Sequence, residues 1–295
     1  LMKIGYACIN LSLKPTFRTC RVATVEKEGI EKIKELTLQN LELTKAIIQW
    51  NIEHNILFYR ISSGVVVLAT HPVNTWDWKN DPDVQAVCAE IKILKEEHGL
   101  RLSVHPGQYS VLNSPREDVV ERTIDDLTYH AELLELVGGS DMILHLGGKY
   151  GDRQSALERL VRNTQQLPPY VKEKLRFEND DKVFNLEDVL FVANQTEVPA
   201  CFDIHHHFCN PSEEALEVLL EEVWETWRGK GRPKVHISSG RTHSTDRSHH
   251  DYIMPDDFKR LISYVGDTEV DVMVEAKKKN LAVLELMQTF EITPD

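Results

Sequence analysis

Residues 100–148 read LRLSVHPGQYSVLNSPREDVVERTIDDLTYHAELLELVGGSDMILHLGG: a short apolar run, an amphipathic stretch and a second short apolar run. The outer runs, Leu100–Val104 and Asp141–Leu146, have the length and composition of buried strands. Between them Val120, Ile124, Leu127, Ala131 and Leu134 recur at steps of three and four, which is one face of a helix. Ser114, Pro115 and Glu117 predict a capping box with proline at the first helical position. Gly138 and Gly139 predict where the helix stops. The unit is therefore strand, helix, strand, and a histidine stands at the end of each strand: His105 after the first, His145 in the second.

The same unit recurs in both directions. Further strand-like runs are Lys3–Ile9, Leu57–Ser62, Leu175–Glu178, Ala200–Ile204, Lys234–Ile237 and Val270–Val274. Helical spacing returns at Val84, Val87, Ile91 and Leu94, and at Leu216, Leu220, Val223 and Trp227, the latter preceded by a second start signal at Asn210, Pro211 and Glu213. About eight alternating βα units without a linker predict an α/β fold, a (β/α)8 TIM barrel, with residues 1–295 as a single domain. A doubly wound open sheet is the other arrangement, but no Gly-x-Gly-x-x-Gly follows the first strand.

Composition narrows the functional classes. Hydrophobic residues make up 41% of the chain and charged residues 27%, enough for a core and too apolar for disorder. No apolar run approaches the roughly 20 residues of a membrane helix, and Lys3 and Asn10 interrupt the first apolar stretch, so neither a membrane span nor a signal peptide is expected. The five cysteines are scattered without Cys-x-x-Cys, which argues against a disulfide framework or a thiolate zinc site and fits a reducing cytoplasm. A net charge of −13 argues against nucleic acid, unless acidic residues hold cations and basic ones cluster.

In a parallel barrel the chemistry lies at the carboxyl ends of the strands. There the sequence places His105, His145, Glu178 with Asn179, Asp203 followed by His205, His206 and His207, then Lys234 with His236, and Glu275. Singly, each has an ordinary reading: a hydrogen-bonded histidine, Glu178 paired with Arg176, Asp203 capping the next turn. Together they would repel or desolvate one another unless cations neutralised them. Imidazole and carboxylate without thiolate suit manganese or zinc rather than calcium. The donors outnumber what one ion needs, so two or three ions are expected, and such centres hydrolyse bonds at phosphorus or at a carbonyl. Basic residues fall in the loops at the same end: Lys14, Arg18 and Arg21; Lys149 and Arg153; Arg241 and Arg247; Lys277, Lys278 and Lys279. They make a phosphate-contacting rim on an otherwise acidic protein.

The run from His105 through Gly107 to Gln108 and Tyr109 resembles the signature of the UV damage endonucleases. So do Ile4 to Tyr6 with Asn10, Arg60 to Ser63, His145 with Gly147 and Gly148, and Phe177 to Asn179. Asp203 with His206, Lys234 with His236, His249 with Asp251 and Tyr252, and Glu275 to Lys277 extend the match to about residue 280. That family is similar in fold to endonuclease IV. The resemblance implies three divalent ions, manganese first and zinc second, and cutting of damaged double-stranded DNA immediately 5′ to pyrimidine dimers and 6-4 photoproducts. It implies Glu178, Lys234, His236 and Glu275 as the catalytic core. Glu178 would bridge; Glu178, Asp203, His236 and Glu275 would surround one ion, and His105, His145 and Glu178 a second. His206 and His249, with Asp251, would hold a third, although His243 and His250 lie too close in sequence for spacing to choose among them. Lys234 would be carboxylated on its side-chain nitrogen; the ordinary alternative is a lysine paired with a carboxylate. Gln108 and Tyr109 would wedge into the duplex, Tyr6 and Asn10 would line the lesion pocket, and His71, Asp251 and Lys277 would stand beside the ligands. A monomer is expected. An abasic-site endonuclease, a metal-dependent sugar isomerase and a non-enzymatic metal-binding module are the competing classes.

Overall fold

A computed structural model describes residues 2–293. The chain runs β1 (Ile4–Ala7), α1 (Val22–Glu28), α2 (Glu31–Glu53), β2 (Phe58–Arg60), α3 (Pro82–His98), β3 (Arg101–Val104), α4 (Glu117–Val137), β4 (Asp141–His145), α5 (Arg153–Gln165) and α6 (Pro169–Lys174). It continues β5 (Leu175–Glu178), α7 (Leu186–Thr196), β6 (Ala200–Asp203), α8 (Ile204–Cys209), α9 (Leu216–Thr226), β7 (Lys234–Ile237), α10 (Pro255–Val265), β8 (Asp271–Val274) and α11 (Lys279–Thr289). The eight strands form a closed parallel barrel in sequence order, with β1 paired to both β2 and β8. This is the expected (β/α)8 TIM barrel. No helix among the described residues is long and apolar enough to cross a membrane.

Strands are shorter than their apolar runs. β1 stops at Ala7 because Cys8 turns out of the sheet at φ 65°. Gly5 is required in that strand, because a Cβ there would collide with the Phe58 carbonyl of β2. The α3 and α4 patterns lie on buried faces as expected, and Gly138 closes α4 in the left-handed region, donating to Leu134 O. The longest helix, α2, carries no obvious apolar stripe. Its buried face mixes Ile33, Leu36, Leu41, Ile47 and Ile48 with Thr37, Asn40, Thr44 and Asn51.

Both predicted helix starts are displaced. α4 begins at Glu117 with Arg116 before it, and Ser114 Oγ accepts from the Arg116 amide in a preceding turn. The loop is held open there, because Arg159 Nε donates to Asn113 O at 2.6 Å while the Asn113 side chain pairs with the Gly148 backbone. α9 begins at Leu216 rather than Pro211, because the Glu187 carboxylate accepts the amides of Glu213 and Glu214. Tertiary partners take groups that a helix would otherwise use.

Alternation along the strands sorts the barrel interior into layers. At the amino-terminal end Arg101 and Arg176 both bind Asp141, and Arg101 also binds Asp271, a buried charge network that closes the floor. Above it Phe58 packs with Ala7 and Met273, and Lys234 lies among Phe58 and Ser103. The top layer is the candidate site.

Candidate metal centre

Glu178, the last residue of β5, is buried at the centre of the barrel mouth, and its two oxygens face different partners. Oε2 lies 3.0 Å from His105 Nε2 and 3.1 Å from His145 Nε2. Oε1 lies 2.9 Å from His236 Nδ1 and 3.6 Å from His206 Nδ1. Two donor groups result, His105–His145–Glu178 and Glu178–Asp203–His236, each with its donor atoms within 4.8 Å of one another. Neighbouring ligands on one ion, with bonds of about 2.1 Å, stand roughly 3.0–3.4 Å apart, the range of the Glu178 contacts to His105, His145 and His236 to within about 0.1 Å. The groups open on a cavity of about 720 Å³ lined also by Cys8, Arg60, Gln108, His206, His249 and Glu275.

The side chains fit a cation. Asp203 Oδ1 accepts the His206 amide at 2.8 Å, so the capping reading holds for that oxygen, while Oδ2 is buried without a hydrogen bond, 3.4 Å from His206 Nδ1. Burial, reinforced by Glu178 and Glu275, pushes the Asp203 carboxyl well above the ordinary range. A carboxylate in that position needs a positive partner. His105 Nδ1 lies 3.0 Å from Pro106 O, which fixes the proton there and aims a bare Nε2 at Glu178. Burial brings the His236 imidazole down to about 4, so it is neutral, the form that ligates.

Six strand-end residues thus meet as the sequence predicts: His105, His145, Glu178, Asp203 and His236, with Glu275 3.2 Å from His236 Nδ1. α8 splits the three consecutive histidines. His206 turns to the mouth, His205 binds Asp246 O, and His207 packs between Phe202 and Phe208. His249 lines the cavity, whereas His243 is exposed and His250 faces a different cavity with Tyr252 and Met254. Among the described residues His206 and His249 do not form a third close donor group, and Asp251 is exposed. His71 and Lys277 are exposed and away from the cavity lining. Lys234 has no carboxylate within ion-pair distance among the described residues. Its Nζ meets Ser103 Oγ at 3.4 Å and the Phe58 ring at 5.6 Å.

Three expectations need correction. Tyr6 does not line an open pocket: its ring is fully buried and its hydroxyl donates to Asn51 of α2 at 2.6 Å while accepting from Asn10. Gly5 and Ala7 face the barrel interior, so period two sends Tyr6 outward to the helices, a signal present in the sequence. Asn10 is buried with it. Arg153 is not a rim residue, because it pairs with Asp188 and donates to Val183 O at 2.9 Å. Glu178 pairs with histidines, while Arg176 points to Asp141 on the floor. Gln108 and Tyr109 are exposed, Tyr109 by 86%. One residue had no assigned role: Arg60, the buried end of β2, donates to Glu275 Oε1 at 2.7 Å. Its signal was a charged residue at a strand end, the same that marked the ligands.

An endonuclease IV from Thermus thermophilus matches 97% of this chain and 98% of its own with a TM-score of 0.60 at 15% identity, a likeness of fold. The crystal structure of SacUVDE matches 99% of both chains with a TM-score of 0.90 at 33% identity. A UV DNA damage endonuclease of Bacillus thuringiensis subsp. konkukian is 36% identical over 300 residues, covering 98% of this chain and 94% of that protein. The sequence model of the UV-endonuclease UvdE family spans residues 2–294, and with the barrel and its donor-lined mouth in place, the chain belongs to that family.

Proposed function

We propose that this chain is a DNA-repair endonuclease, one barrel domain acting as a monomer in the cytoplasm. It cuts double-stranded DNA immediately 5′ to pyrimidine dimers and 6-4 photoproducts with divalent ions, three in number and manganese before zinc. The observation that carries this reading is the divided Glu178 carboxylate, which offers one oxygen to each of two donor groups inside an open cavity. Glu178, Asp203, His236 and Glu275 would hold one ion, His105, His145 and Glu178 a second, and His206 with His249 a third. Bound divalent ions supply activation of water and neutralisation of charge on the phosphate.

The chain's own residues do the rest. Lys14, Arg18, Arg21, Lys149, Arg241, Arg247, Lys277 and Lys278 are exposed, lie in the loops that follow β1, β4, β7 and β8, and would hold backbone phosphates. Gln108 and Tyr109 enter the duplex where the crosslinked bases leave the stack, and damaged bases leave it at less cost. Water is added across the bond between phosphorus and the 3′-oxygen, leaving a 3′-hydroxyl and a 5′-phosphate without a covalent enzyme intermediate. The test is incubation with manganese and three matched duplexes, bearing a thymine dimer, an abasic site or no lesion. One cut 5′ to the dimer, extendable by a polymerase, is expected. Better cutting at the abasic site selects the endonuclease IV type of activity, and no cut at the dimer overturns the reading.

Two further expectations arise here. Burial opposes protonation of His206, but Asp203 and Glu178 outweigh it and raise the ring to about 10 in the ion-free protein. The ring is then protonated at pH 7, and ligation requires it neutral. Loading with manganese at pH 7 should therefore release protons, the release vanishing as pH rises past about 10. Calorimetry in buffers of different ionisation enthalpy reads this directly, and an identical heat in all of them counts against His206 as a ligand. For Lys234, burial and then Arg60 lower the ammonium to about 8, so the neutral amine is accessible near neutrality. Addition of carbon dioxide to that amine forms a nitrogen–carbon bond, releases a proton and leaves an anionic ligand. A native mass spectrum should show one added carbon dioxide, and the bare sequence mass alone rejects the modification.

A further inference from the structure

Strand β2 supplies no donor to either group, yet its end is built against three ligands. The Arg60 guanidinium lies inside the cage, where Nη2 donates to Glu275 Oε1 at 2.7 Å and stands 3.3 Å from His236 Nε2. Three residues on, Ser63 Oγ donates to the His105 carbonyl at 2.9 Å, and the Ser63 carbonyl is itself held by Tyr129 Oη at 2.9 Å. A run with no ligand of its own therefore touches ligands that follow β3, lie in β7 and follow β8.

On charge alone a buried guanidinium beside a cation site is unfavourable, since it repels every ion placed near it. What it does to the ligands must offset that. His236 turns its Nε2 edge to Arg60. The nitrogen left facing the donors is Nδ1, 2.9 Å from Glu178 Oε1 and 3.2 Å from Glu275 Oε1. Glu275 follows β8, its amide donates to Ile237 O of β7 at 2.8 Å, and among the described residues its side chain has Arg60 and His236 as ion-pair partners. The pre-organised guanidinium holds Glu275 Oε1 in one position, which a lysine ammonium on a flexible stem does not do with the same geometry.

We propose that Arg60 is a positioning residue of the metal centre, holding Glu275 so that its carboxylate joins Glu178, Asp203 and His236 as one donor set. This rests on the metal-centre reading above and adds to it a residue that binds no ion. The two effects of removing Arg60 have opposite signs, so manganese affinity decides between them without any measurement of DNA cutting. Chelator-stripped protein is titrated with manganese by calorimetry, with the bound metal counted, for the wild type, Arg60→Met, Arg60→Lys, Glu275→Gln and the double variant Arg60→Met with Glu275→Gln. Residues that orient ligands contribute roughly 10–100-fold in metal affinity. Arg60→Met is expected to bind at least about tenfold more weakly, with Arg60→Lys between it and the wild type. In the Glu275→Gln background the further loss should be smaller than in the wild type, because the shared contact is already gone. Unchanged or tighter binding by Arg60→Met, or fully additive losses, overturns the proposal. If circular dichroism shows Arg60→Met unfolded, the same comparison is read from Arg60→Lys alone and combined with Glu275→Gln. A wild type that binds no manganese removes the metal centre itself, whereas a wild type that binds with an indifferent Arg60→Met removes only this inference.

Discussion

Glu178→Gln should abolish cutting of a dimer-bearing duplex and reduce the bound divalent metal. Glutamine keeps the shape and loses the charge. It offers one carbonyl oxygen where Glu178 offers two carboxylate oxygens, so at least one of the two donor groups loses its central ligand. The other consequence is electrostatic. Asp203 already sits in a position where burial and neighbouring acids disfavour its charge, His206 offsets only part of that, and a bound cation would offset more. With fewer ions held, the remaining buried acids protonate instead. The loss of turnover should exceed the roughly 100-fold that marks the upper end for residues merely supporting ligands. Metal counting on the purified variant, beside cleavage of the thymine-dimer duplex, makes the check. A variant with its full metal complement and activity within about tenfold of the wild type would sink the two-group centre.

The double substitution Gln108→Ala with Tyr109→Ala should act in the opposite register, impairing lesion recognition while leaving the metal untouched. Both side chains are exposed, and Tyr109 lies almost wholly in solvent, so removing them should shift folding stability by no more than about 0.5 kcal/mol. An exposed aromatic next to a ligand-bearing strand end is apolar surface without a partner inside the chain. Stacking against a base contributes roughly 1–3 kcal/mol by truncation, which corresponds to about a 5-fold to 150-fold fall in cutting at the dimer. Metal content and thermal midpoint should match the wild type. Unaltered cutting of the dimer duplex rejects the wedge, and a parallel loss of metal would mean that the loop supports His105 instead.

Much of the site was legible because a barrel converts position in sequence into position in space. A residue at the carboxyl end of a parallel strand must lie at the mouth, whichever strand it is, so six donors from β3 to β8 could be gathered without knowing one contact. Alternation along a strand is equally local. Applied to Gly5, Tyr6 and Ala7 it would have sent Tyr6 to the helix layer. The α2 helix escaped because Thr37, Asn40, Thr44 and Asn51 occupy its buried face, and an apolar stripe is the only mark that periodicity reads.

What the chain's order of residues determined by itself is the barrel, the end at which its chemistry sits and the donor types collected there, since these follow from periodicity and strand direction. The tertiary structure alone decided which atoms face one another. The division of Glu178 between two groups, the Asp203 oxygen buried without a hydrogen bond, the seat of Arg60 against Glu275 and the place of His249 on the cavity wall are all of this kind. Arg60 and Glu275 lie 215 positions apart, and local spacing carries no information about a contact made only when the barrel closes β8 onto β1 and sets both beside β2.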